Sequence, residues 1–324
     1  MEAKRRTLGL LVVLAALLGA ALWAVTQSNA ASQAASSAAE EGSISLCSFS
    51  SQDLESIQYT YQGQTFTLQY DSGSWTLAQD PDYHLDASAC NTMVTALSTL
   101  KAKRQLTPQA GEDYGLENPE LTVTVTAAGE TTTFLFGAQN GVTGDQYLCR
   151  EGEQTLYTVS GSKSACFALD KAGLFGSFCP AGLTASEVQQ LSYTLQDGTT
   201  VSLTAGSEPA EEADASSEAY QTVWRFTGDP DTAVDQDRVQ EMLSALTSYV
   251  SGQITPADGA DPAACGFATP LATVELTTAG GTKTLTYASG TDGYYLQVEG
   301  ENSLYSVDSS VVQAILQNAE DLTV

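Results

Sequence analysis

The sequence predicts an α+β protein: two tandem copies of a hairpin, helix and antiparallel meander unit, placed after one N-terminal transmembrane helix. Three observations predict it. An unbroken apolar run stands near the start, the two halves of the chain match each other in order, and within each half the hydrophobic period changes from two residues to helical and back.

The apolar run extends from Leu8 to Val25 and carries no charge, with Lys4, Arg5 and Arg6 just before it. At about 1.5 Å per residue it spans about 27 Å as a helix, close to the hydrocarbon thickness of a bilayer. Cations on its N-terminal side leave residues 1–7 in the cytoplasm as a basic tip and send the rest of the chain outward. A second reading is a cleaved secretory signal, because Ser28, Asn29 and Ala30 supply small residues and would give a mature N-terminus at Ala31. The run is longer than the roughly 7 to 15 apolar residues of a cleavable signal, which favours an uncleaved anchor. Both readings export the remainder of the chain, so the expected location is the cell membrane, single-pass, with the bulk of the chain extracytoplasmic. Residues 26–43 are mostly Ala, Ser, Gln and Glu, the composition of a disordered spacer.

Beyond the spacer the repeat begins. Ile57-Gln-Tyr59-Thr matches Leu191-Ser-Tyr193-Thr. Trp75 matches Trp224, Asp80-Pro81-Asp82 with Asp86 matches Asp229-Pro230-Asp231 with Asp235, and Met93, Ala96 and Leu97 match Met242, Ala245 and Leu246. Gly115 and Pro119 then match Gly266 and Pro270, and Leu156-Tyr157 matches Leu304-Tyr305. These matches place a first repeat at 44–175, a linker containing Cys179-Pro180 at 176–183, and a second repeat at 184–324. The spacing changes most between Leu203 and Tyr220, where residues 206–219 form an acidic surface loop without a counterpart.

Within the first copy, Thr65 to Tyr70 and Ser74 to Leu77 alternate around Asp71-Ser72-Gly73 and read as a hairpin. A helix follows over 87–101, with Met93, Leu97 and Leu100 on one face and Asp86 as its N-cap; Asp235 has the same place in the second copy. Strands are expected at 121–126, 131–136, 146–149 and 155–159, and again at 272–277, 283–287, 294–298 and 303–307. Short helices around 164–168 and 309–318 close the copies.

Composition excludes some functions. The formal net charge is -27, so nucleic acid is not an expected partner: its binders need clustered Lys and Arg. Lys101, Lys103 and Arg104, the only basic cluster beyond the anchor, read as a helix end facing the macrodipole. The chain has 6 Cys without a C-x-x-C pair, which leaves disulfides and buried thiols both open. One His, His84, and no paired Cys spacing argue against zinc. His84 also lacks a G-x-S-x-G partner and stands opposite Ala233, so no catalytic residue and no cofactor site is assigned. The metal candidates are the carboxylates Asp80, Asp82, Asp86, Asp229, Asp231 and Asp235, which gather oxygen ligands in short loops but lack the mid-loop Gly and terminal Glu of an EF-hand. A Pro-bearing turn and an N-cap explain them more simply. Tyr114, Tyr147, Tyr157, Tyr294, Tyr295 and Tyr305 fit sheet packing better than a sugar-stacking surface, because most fall at alternating strand positions.

The Trp75 strand, the Asp-Pro-Asp segment, the Met93 helix and Asp113-Tyr114-Gly115-Leu116-Glu117-Asn118-Pro119 before Thr-Val-Thr-Val resemble a bacterial family known as domain of unknown function 4340. The resemblance covers nearly everything after the spacer. It implies a membrane-anchored extracytoplasmic protein, in some cases beside ABC-type export systems, and implies no activity. The second copy has Cys265 in place of the Tyr, so Tyr114, Gly115, Pro119, Gly266 and Pro270, with Trp75 and Trp224, read as structural residues.

The functional expectation is a non-enzymatic accessory or binding module of the bacterial cell envelope. It meets the membrane through its N-terminal helix and has ABC-type transporter subunits as its candidate partner. Two alternatives stand beside it: a carboxylate-dependent cell-envelope hydrolase, and a soluble ligand-binding protein released by signal cleavage.

Overall fold

Period-two runs of Val, Leu, Thr and Tyr recur in both halves of the chain and pair as antiparallel ladders. The computed structural model describes residues 44–209 and 220–324; the expected cytoplasmic tip, transmembrane helix and spacer lie outside the described residues, as do residues 210–219 of the acidic loop. Among the described residues no helix is long and apolar enough to cross a membrane.

The first copy contains strands β1 (Ile44–Ser45), β2 (Leu54–Tyr61), β3 (Gln64–Asp71), β4 (Ser74–Leu77), β5 (Lys101–Ala102), β6 (Arg104–Leu106), β7 (Leu121–Ala127), β8 (Glu130–Gln139), β9 (Asp145–Arg150) and β10 (Leu156–Ser160). Its helices are α1 (Ala87–Ser98) and α2 (Ser162–Ala165). The second contains β11 (Gln190–Leu195), β12 (Thr200–Pro209), β13 (Tyr220–Phe226), β14 (Gly252–Ile254), β15 (Ala272–Thr278), β16 (Gly281–Ser289), β17 (Tyr294–Val298) and β18 (Leu304–Val307), with helices α3 (Gln236–Leu246) and α4 (Ser309–Ile315). Two 8-stranded sheets result, in the orders β4-β3-β2-β7-β8-β9-β10-β6 and β13-β12-β11-β15-β16-β17-β18-β14, with a separate two-stranded pair β1-β5. The two orders are the same, strand for strand.

This corrects the expected α+β class to mostly β. Each copy has one helix of ordinary length, 12 residues in α1 and 11 in α3, against eight strands in its large sheet. The difference arises in segments too short to show a period. Lys101, Lys103 and Arg104 were expected at a helix end; α1 stops at Ser98, and Lys101–Ala102 and Arg104–Leu106 form β5 and β6. Lys103 bonds the Asp145 carboxylate at 2.6 Å. At the acidic loop, β12 continues to Pro209 and pairs Gly206 with Val223 and Glu208 with Gln221, while Glu208 takes Arg225 at 2.5 Å.

Alternation decides which face is buried. Leu121, Val123 and Val125 are buried along β7, and Ala272, Val274 and Leu276 along β15. The intervening threonines pair across strands on the other face, Thr124 with Thr133 at 2.9 Å and Thr277 with Thr282 at 3.0 Å. The Gly-to-Pro turns precede β7 and β15. Gly115 has φ +70° and Gly266 has φ +87°, and a Cβ there would lie 2.6 Å from Ala138 N and 2.1 Å from Ser289 O. Only glycine fits such a position.

By compactness the described residues divide into one unit of Ile44–Thr65 with Thr92–Ala168, and another of Phe66–Asn91 with Leu169–Val324. The first has Ile57, Tyr59, Val123, Phe134, Phe136 and Leu148 fully buried. The core of the second gathers Leu191, Tyr193 and Leu203 from the sheet with Val239, Met242 and Leu246 from α3. The β4 hairpin end and the Asp-Pro-Asp segment of the first copy therefore belong to the same unit as the second sheet, and this places the candidate site.

Candidate functional site

Asp80 sits in a tight turn after β4, where its N–H bonds Leu77 O at 2.9 Å and its carbonyl accepts from Tyr83 N at 3.0 Å. The turn carries the carboxylate inward, to 4% exposure. A buried carboxylate needs partners, and Asp80 Oδ2 has two: Lys171 Nζ at 2.7 Å and Thr255 Oγ1 at 2.5 Å. Lys171 also bonds Asp258 and lies 4.7 Å from the centre of the Tyr83 ring, whose hydroxyl donates to Lys171 O at 2.7 Å. Thr255 and Asp258 are held by their own capping box around the short 3-10 helix Pro256–Asp258. Three sequence-distant segments meet in this polar latch.

The contacts shift Lys171, Asp258 and Tyr83. Burial pulls the Lys171 ammonium down, but its hydrogen bonds to Asp258 and Asp80 outweigh that and its pKa is raised. Burial likewise pushes Asp258 up, while Lys171 and the Thr255 N–H outweigh it and hold the carboxyl below its usual range. Burial first, then the charges of Asp258, Asp170 and Asp80, push the Tyr83 phenol to about 12.

Beside the latch opens a cleft of about 670 Å³ whose lining includes Trp75, Asp82, His84, Phe178, Glu301 and Tyr305. Its walls are aromatic and hold one another. The His84 ring stacks on Phe178 at 3.6 Å and 12°, and Phe178 meets the edge of Tyr305 at 5.3 Å. Tyr305 donates to Glu301 at 2.5 Å. Burial, Glu301 and Asp82 together drive the Tyr305 phenol well above its ordinary value. Behind the wall, buried Gln253 takes His84 N at 2.8 Å and donates to Asp82 O at 2.8 Å and Ser303 Oγ at 3.0 Å. The loop bearing Asp82 and His84 is thus fixed through its backbone, which leaves both side chains exposed to the cleft.

The predicted carboxylates scatter into separate roles. Asp80 is in the latch and Asp82 at the cleft. Asp86 caps α1, accepting from Ser88 N at 2.8 Å, and Asp235 caps α3, accepting from Asp237 N at 3.1 Å. Asp229 and Asp231 are exposed, and Asp229 accepts from Thr232 Oγ1 at 2.7 Å. Among the described residues no three His, Cys, Asp or Glu side chains come together in a way that could hold a metal ion. All six cysteines are free thiols; burial pushes Cys90 to about 12 and Cys166 to about 11, which keeps both protonated and unreactive.

The matched tryptophans part company too. Trp224 is buried at 5%, and its backbone is clasped by the Gln236 amide, at 2.8 Å to N and 3.0 Å to O. Trp75 is half-buried at the cleft, with its indole N–H on Asn91 at 3.2 Å. Tyr114 packs edge-on against Tyr147 at 4.9 Å and donates to Glu112 at 2.7 Å. Lys171, Gln253, Phe178 and Asp258 were not among the residues singled out from sequence. Thr255-Pro-Ala-Asp258 has the form of a capping box and could have been found; nothing local marks the others.

A family model described as Domain of unknown function (DUF4340) matches the chain twice, over residues 75–223 and 224–324. Each match starts at a matched tryptophan. No curated protein and no solved structure matches the chain.

Proposed function

The chain belongs to the DUF4340 family, carrying its domain twice, and on that premise we propose that it is a non-enzymatic binding and assembly module of the bacterial cell envelope. In this reading the N-terminal helix anchors it in the membrane, the duplicated fold stands outside, and it works beside an ABC-type transport system. One observation carries the binding role: the cleft joins residues that both copies share, Trp75, Asp82 and Tyr305, with His84 and Tyr83, which the repeat does not require. His84 stands opposite Ala233 and Tyr83 opposite Thr232, so these two side chains are an elaboration of one copy. The His84 imidazole faces the Phe178 ring, an arrangement suited to stacking a ligand or partner side chain rather than to general-base chemistry.

Affinity purification of the tagged full chain from gently solubilised membranes tests this. Transporter subunits are expected to co-purify, and to be reduced by His84→Ala with Phe178→Ala. Their absence, under conditions that keep known complexes intact, overturns the proposal.

A second reading, the carboxylate-dependent hydrolase, has one observation in its favour: Asp82 and Glu301 line the same cleft. Glycosidases use two such carboxyl groups. Release of soluble fragments from cell-wall glycan by the full chain, abolished by Asp82→Asn, would establish it.

A further inference from the structure

Matching backbone hydrogen bonds put the two copies in residue-by-residue correspondence near each Asp-Pro-Asp turn. Ala78 N donates to Thr67 O as Thr227 N donates to Ser202 O, and Asp86 N donates to Leu174 O as Asp235 N donates to Leu322 O. By that correspondence Phe66, Tyr83, Lys171 and Phe175 are replaced in the second copy by Val201, Thr232, Ala319 and Thr323, all smaller. Asp80 is retained as Asp229.

In the first copy these side chains fill their space. Phe66 and Tyr83 are buried at 6% each, Tyr83 packs edge-on against Phe175 at 5.9 Å, and Lys171 lies over the Tyr83 ring with its ammonium on Asp80. In the second copy a pocket of about 450 Å³ opens, lined by Val201, Phe226, Asp229, Thr232, Ala319 and Thr323 among others. That volume suits a small molecule.

We propose that this pocket binds a small organic cation carrying an aromatic ring and a protonated amine, an arylalkylamine, which supplies the ring and ammonium that Tyr83 and Lys171 supply in the first copy. Phe226 stands where the first copy has Leu77, so the pocket gains an aromatic face for the ring. The amine has Asp229, and Glu320 lines the same pocket. Among the described residues neither carboxylate is in an ion pair with a Lys or Arg. A net charge of -27 adds long-range attraction for cations. The site is separate from the aromatic cleft, and the inference does not depend on the envelope role.

Calorimetric titration of the full chain with tyramine tests it, with p-cresol as the arm lacking the amine and n-butylamine as the arm lacking the ring. Tyramine is expected to bind more tightly than either. Asp229→Asn, at an exposed position, is expected to weaken tyramine about tenfold, the loss of one charge-assisted contact. Thr232→Tyr with Ala319→Lys rebuilds the first copy's filling and is expected to abolish binding. No tyramine binding by the unsubstituted chain at millimolar concentration, equal binding of p-cresol, or binding unchanged in Asp229→Asn would each overturn the proposal.

Discussion

Lys171 is the residue on which the latch turns, because it is the cation for both Asp80 and Asp258. Lys171→Met leaves the Asp80 carboxylate, 5% exposed at its side chain, with only Thr255. The expected loss of stability is about 3 kcal/mol, as for breaking a buried pair on one side. Asp80→Asn on top of Lys171→Met should recover part of it, and thermal unfolding of both variants checks the pair. The latch also sets an alkaline limit. The pKa values of Lys171 and Tyr83 are raised above the ordinary 10.5 and 10.0, so the folded state holds these protons more tightly than the unfolded one. Their contribution is complete below the ordinary values and is lost as pH rises through the raised ones. Urea midpoints should therefore fall from about pH 10 upward, and the fall should be shallower in Lys171→Met. Asp258 acts in the opposite direction: its lowered pKa gives a contribution that is present above the ordinary 3.8 and lost in acid.

At the scale of elements, the turns before β7 and β15 offer a paired test of the repeat. Gly115→Ala and Gly266→Ala each force a left-handed φ on a residue with a Cβ and press that Cβ against backbone. Each is expected to cost about 2 kcal/mol or more, read from chemical unfolding, and Gly266→Ala the more because its contact, 2.1 Å from a carbonyl oxygen, is the closer. These turns were legible in the sequence because a Gly at fixed distance before a Pro and a strand recurs in both halves. So were the caps Asp86 and Asp235, and the apolar face that buries Met93 and Leu97, since each depends on neighbours within two helical turns; Leu100, expected on that face, is buried beyond the end of α1 at Ser98. The class was not legible. β5 and β6 are 2 and 3 residues long, too short for a period, and they exist because β5 pairs with β1, Lys101 opposite Ser45, and β6 with β10, Arg104 opposite Thr158. The latch was hidden for the same reason: Lys171 and Asp80 are 91 positions apart, and in sequence Asp80 looks like its exposed counterpart Asp229.

For the molecule as a whole, the sequence repeat and the compact units divide the chain differently. The matches place the boundary at 176–183, yet Phe66–Asn91 belongs with Leu169–Val324. The reason is visible in the polar groups at the site. Gln253 is 9% exposed and its amide is completed by His84 N and Asp82 O, while Thr255, fully buried, bonds Asp80. A fragment of residues 184–324 keeps all eight strands of the second sheet but loses these partners. Each buried polar group left unpaired costs about 1–3 kcal/mol, and water entering the exposed site returns part of that. The fragment should then unfold at a clearly lower temperature and urea concentration than the same sheet in the full chain. Near-ultraviolet circular dichroism would track the change, since Phe178 is also removed from Tyr305. A fragment as stable as the full chain would mean that the second repeat is self-sufficient and that Phe66–Asn91 adds nothing to its folding. A destabilised one would mean that the first copy lends the second a piece of its own fold, and that the cleft exists only where the two sequences meet in one unit.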